Sequence, residues 1–113
     1  DMHHEVGKVS AESLARFGAP AMDVLVEALR HPEMWIRIHA VEALSKIRNP
    51  RVTPILLETL DDPEREVKKR VIESLGNLKD PRALPALQEI VADRADRELH
   101  TLAKQAMENL TKG

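Results

Sequence analysis

The chain has 113 residues, 42% hydrophobic and 32% charged, a balance that fits one small folded domain or a short stack of repeats and excludes a disordered or fibrous chain. A net charge of −2 lacks the basic excess of a nucleic-acid binder. The lack of cysteine excludes disulfides and thiolate–metal sites and points to a reducing, cytoplasmic compartment. No run approaches the ~18–20 apolar residues that cross a bilayer, and no signal peptide opens the chain. Met2 stands second, after Asp1, as expected of a piece of a longer protein.

Taken in chain order, the elements read as helices in pairs. Leu14 and Phe17 mark the first helix, which the Gly18-Ala19-Pro20 turn separates from a second stripe of Ala21, Val24, Leu25, Ala28 and Leu29. Ile36, Ala40, Ala43, Leu44 and Ile47 then fall on one helical stripe, stopped at Asn49-Pro50 because a residue before proline avoids the helical region. Val52, Ile55, Leu56, Thr59 and Leu60 form the next stripe, ended by Asp61-Asp62-Pro63. Here Asp62 is expected to cap a new helix with Pro63 in its first position. Val67, Val71, Ser74, Leu75 and Leu78 continue the pattern. Asp80-Pro81 follows, then Ala83, Ala86, Leu87, Ile90 and Val91. Leu99, Ala103, Ala106, Met107 and Leu110 form a last, unpaired helix.

These stripes are copies. Pro32 and Pro63, Ile36 and Val67, Leu44 and Leu75, Pro50 and Pro81, and Leu56 and Leu87 each stand 31 residues apart. The offset becomes 30 before the Gly18-Ala19-Pro20 turn and 32 in the last helix. Such a period means stacked two-helix units sharing a continuous core. The expected fold is all-α, an α-α superhelix of about three and a half repeats and seven helices. The repeats lie at about 3–30, 32–61 and 63–92, with a capping helix at 95–111, in a single domain.

Ile36-Arg37-Ile38-His39-Ala40-Val41-Glu42-Ala43-Leu44 followed by Asn49-Pro50-Arg51-Val52-Thr53-Pro54-Ile55-Leu56 resembles the short HEAT-like repeats of the phycobilisome-lyase type. Val67 to Leu75 with Asp80 to Leu87 is similar to the same pattern. Lys68 replaces an arginine of that pattern, Val71 an alanine, and Ser45 a glycine that Gly76 keeps. The resemblance implies a non-enzymatic protein-binding scaffold. It also implies that the first helix of each repeat is convex and the second lines a concave binding face.

On those second helices Glu27, Glu58 and Glu89 recur every 31 residues, an expected acidic ladder. Met22, Val26, Leu57 and Leu84 fall off the core stripe of the same helices and are expected to be partly exposed between the acids. An acidic and apolar groove suits a basic, amphipathic segment of a protein partner. Against this stands the plainer explanation that glutamate favours helices and that duplication copies a surface as well as a core.

Catalytic and metal sites find little support. His4-Glu5 is similar to a single one of the several His-Glu motifs with which HEAT-like deoxyhypusine hydroxylases bind two irons, but it lies out of register and has no second copy. The alternative reading is therefore an enzyme-associated member, bilin-lyase-like or metal-dependent. His31, His39 and His100 show no ligand spacing and read as solvated positions. No cofactor, catalytic residue or metal ligand is expected. Arg65, Lys68, Lys69 and Arg70 form a basic cluster interleaved with Glu64, Glu66 and Glu73. Trp35 reads either as an interface anchor or as a cover over the junction of the first two repeats.

Overall fold

The structure is a computed structural model that describes residues 19–112, with side chains from Ala21 onward. Six α-helices run α1 Ala19–Ala28, α2 Met34–Leu44, α3 Val52–Thr59, α4 Arg65–Leu78, α5 Leu84–Ala92 and α6 Arg97–Thr111, with a 3₁₀ turn at Pro81–Ala83. No strand occurs among the described residues. Six helices stand where seven were expected; the first expected helix, with His4, Glu5, Leu14 and Phe17, lies outside the described residues.

One continuous core joins the repeats. Leu25 of α1, Ile38, Val41 and Leu44 of α2, and Leu56 of α3 are buried in it. Val67, Val71 and Leu75 of α4, Leu87 of α5, and Ala103 and Ala106 of α6 extend it. The expected helical stripes contain these positions except Ile38 and Val41, which widen the buried face of α2. A fully buried leucine such as Leu56 or Leu87 carries about 2–5 kcal/mol of stability against truncation to alanine. Met22 belongs to the same core and is fully buried, which corrects its expected exposure: it packs inward with Leu25, three residues on, instead of facing outward.

The turns between helices repeat as closely as the core does. In four of them an Asn or Asp carbonyl or carboxylate oxygen accepts the backbone N–H two residues on. The pairs are Asn49 with Arg51, Asp62 with Glu64, Asp80 with Arg82 and Asp93 with Ala95, all at 2.9–3.0 Å. This corrects the role expected for Asp62. Its side chain closes the turn, and α4 starts only at Arg65, with Glu64 at the N-cap and no side-chain cap bond. Side-chain caps do form at Asp80, which accepts from the Arg82 N–H at the head of the 3₁₀ turn, and at Asp96, whose carboxylate accepts from the Leu99 N–H at 3.1 Å at the head of α6.

Helices α2, α4 and α6 lie side by side as one layer, closest at α4 against α6. Helices α1, α3 and α5 rest mainly on that layer and touch one another only sparsely. Gly76 of α4 lies directly against α6: a Cβ placed on it would sit 2.9 Å from the Ala106 Cα. Ser45, one repeat earlier, donates its hydroxyl to the Glu42 carbonyl instead.

Candidate functional site

Sparse contact between α3 and α5 leaves a groove of 340 Å³ between them. Its apolar lining comes from Leu57 of α3 and Leu60 at its C-cap, Ile72 of α4, Ala86 and Ile90 of α5 and Leu99 of α6. Around it stand Asp61, Glu89, Asp93 and Asp96, with one cation, Lys68. Asp96 is engaged: Arg65 pairs with it at 2.6 Å. Among the described residues Asp61, Glu89 and Asp93 have no ion-pair partner and Lys68 makes no ion pair.

Of the seven residues expected at the binding face, the groove gathers Leu57 and Glu89. Glu27 and Glu58 are exposed on α1 and α3 and lie outside the groove, while Val26 and Leu84 are half-buried and also outside it. Sequence reasoning did not bring Asp61 and Asp93 to this face, and it read Lys68 only as a member of the basic cluster. The signal was present in the 31-residue spacing of Asp62 and Asp93 and of Arg37 and Lys68, but it becomes legible only once Arg37 is seen bonded to Asp62.

A second groove, of 560 Å³, crosses the outward registers of α2, α4 and α6. His39 and Arg70 share one register, Glu42, Glu73 and Gln105 another, and Lys46, Asn77 and Asn109 a third. Its charges meet each other: Arg70 lies 3.6 Å from both Glu42 and Glu73, and His39 lies 3.5 Å from Glu42.

The basic cluster is likewise neutralised from within. Arg65 and Lys69 both pair with Glu98 of α6, at 3.0 and 2.9 Å. The Lys69 and Arg65 side chains, bonded to Glu98, hold its carboxyl below the ordinary range, and Glu98 in turn raises both bases. Asp96 is lowered first by its bond from the Leu99 N–H and then by Arg65. Of the four cations only Lys68 is without an ion pair among the described residues, so no concentrated positive field remains.

The histidines expected to be solvated take part in local structure. The Glu33 N–H donates to His31 Nδ1 at 3.0 Å, and His100 Nδ1 lies 2.8 Å from the Val91 carbonyl, tying α6 to the end of α5. Trp35 is 49% exposed at the head of α2. Among the described residues no three His, Asp or Glu side chains gather into a metal-binding cluster, and no helix is long and apolar enough to cross a membrane.

A family model of HEAT repeats matches residues 1–70 and 50–108. The chain belongs to the HEAT-repeat family. The two matches overlap on the regular centre of the stack, where the 31-residue offset holds. HEAT repeats generally mediate protein–protein interaction and are generally non-enzymatic scaffolds. A comparison with curated proteins finds no match.

Proposed function

We propose that this HEAT-repeat chain binds a basic, amphipathic segment of a partner protein, or of its own parent chain, in the groove between α3 and α5. The observation that carries this reading is the combination of an apolar lining with three carboxylates that have no ion-pair partner among the described residues. A helix face with leucines along one side and cations at its edge would bury apolar surface there while meeting Asp61, Glu89 and Asp93. The groove across α2, α4 and α6 is larger but offers charges that are already paired, which weakens its claim on a charged partner.

The resemblance makes the second helices concave. Close packing of α2, α4 and α6, together with a groove that crosses them, argues for the opposite curvature, so the proposal stands on the groove's residues and not on its curvature. The finer kinship with phycobilisome-lyase-type repeats is likewise a proposal, supported by the Ile36–Leu56 and Val67–Leu87 patterns. For the alternative, an enzyme-associated role that is bilin-lyase-like or metal-dependent, no cluster of three His, Asp or Glu side chains able to hold a metal is found among the described residues.

The test is the double variant Asp61→Lys with Glu89→Lys, both at the groove, titrated with a labelled amphipathic peptide carrying leucines on one face and cations beside them. Binding should fall by about tenfold or more, as expected when like charges face each other across an interface. Unchanged affinity in a variant with unchanged helicity would contradict the proposal.

A further inference from the structure

One side chain at the groove, Lys68, departs from the repeat pattern. Arg37 of α2 and Lys68 of α4 are register equivalents, as are Asp62 and Asp93, each pair 31 residues apart. In the earlier repeat the Arg37 guanidinium grips Asp62 along two edges, Nε to Oδ2 at 2.8 Å and Nη2 to Oδ1 at 3.2 Å. Its Nη1 donates to the backbone carbonyls of His31 and Pro32 at 2.8 and 3.1 Å. One planar fork thus ties the loop before α2 to the loop after α3.

In the next repeat the acceptor is built the same way. Asp93 closes its turn on the Ala95 N–H at 3.0 Å, as Asp62 does on Glu64 at 2.9 Å. The donor differs. Lysine is a compact point charge without the fork that spans a carboxylate and neighbouring carbonyls together. Lys68 makes no such bond among the described residues, and both Lys68 and Asp93 line open space instead. The groove is the place where, one repeat earlier, a guanidinium sits.

We infer that the segment bound in the groove carries an arginine, whose guanidinium takes on Asp93 the place that Arg37 takes on Asp62. This rests on the α3–α5 groove being the binding surface. Asp61 and Glu89 at the same groove, against Lys68 alone, leave an excess of negative charge for a second cation of the segment. Leu57 and Ile90 provide apolar walls for the arginine stem.

Two helical peptides identical except for arginine or lysine at the cationic positions, each titrated by fluorescence anisotropy, form the test. The unaltered chain should bind the arginine peptide about tenfold tighter, the difference expected between a bidentate fork and a point charge. Lys68→Arg should supply the missing fork from within, raising the thermal midpoint and weakening the arginine peptide about tenfold. Equal affinities for the two peptides, or a Lys68→Arg chain that is more stable yet binds as before, would overturn the inference. In that case, loss of both peptides in Glu89→Lys leaves the groove standing as the binding surface. Retention of both peptides in Glu89→Lys removes the groove itself and the inference with it.

Discussion

Gly76 lies so close to Ala106 that a methyl group at position 76 would sit 2.9 Å from the Ala106 Cα and 3.0 Å from its Cβ. The first of these neighbours is backbone and cannot rotate aside. Alanine gains about 1 kcal/mol over glycine inside a helix, while overpacking costs about 1–3 kcal/mol, so the clash decides the sign. Gly76→Ala is expected to destabilise the chain by up to about 2 kcal/mol in urea unfolding. A more stable Gly76→Ala would show that α4 and α6 can part without cost.

The Arg37–Asp62 pair is nearly out of solvent, with side-chain exposures of 11% and 6%. Removing one partner strands the other, so Arg37→Ala or Asp62→Ala should cost about 3–5 kcal/mol. Replacing both by apolar residues of similar size, Arg37→Met with Asp62→Leu, should cost markedly less than the two single changes added together. Additive losses in chemical denaturation would show that the pair acts as two separate contacts.

Asp80 fastens the third repeat to the second. Its carboxyl is held at about 2, chiefly by hydrogen bonding from the Arg82 side chain, against burial, which raises it, with Thr53 adding a further bond. Arg82 also reaches the Pro50 carbonyl at 2.7 Å. A carboxylate held lower in the fold than in the unfolded chain contributes stability above pH ~4, and that contribution is lost as pH falls from about 4 towards 2. The contribution is about 1–2 kcal/mol once solvent screening of the half-exposed Arg82 is discounted. The stability difference between the unaltered chain and Asp80→Asn should therefore shrink across that window; a difference constant from pH 6 to pH 2 would contradict the assignment.

Lys79 ends α4 in the left-handed region, at φ 55° and ψ 35°, where a glycine meets no Cβ penalty. Lys79→Gly is expected to raise stability by about 0.5–1 kcal/mol, read as a higher urea midpoint with an unchanged slope. A fall in the midpoint would mean that the lysine side chain makes contacts the strain conceals.

The fold was legible because its two signals are periodic: apolar stripes at helical spacing, and a 31-residue echo that repeats Leu44 as Leu75 and Leu56 as Leu87. Starts and turns were less so. Asp62 and Pro63 look like a cap and a first turn, yet the bond from Arg37 and the turn to Glu64 hold Asp62 outside the helix, a tertiary contact that local reading does not weigh. The site was legible in kind but not in place. The echo brought forward Glu27, Glu58 and Glu89 because they are identical, whereas the groove arises where the echo fails, at Lys68 in the position of Arg37. Met22 was misjudged because helical registers that differ by one position divide core from surface, and it stands with Leu25 on the inner side.

The most direct measurement is an amide chemical-shift map of the chain titrated with the arginine-bearing amphipathic peptide. The proposal predicts shifts concentrated on Leu57, Asp61, Lys68, Glu89, Ile90 and Asp93, the walls of the groove between α3 and α5. Shifts confined to His39, Arg70, Asn77 and Asn109, across α2, α4 and α6, would contradict it and move the binding surface to the opposite layer.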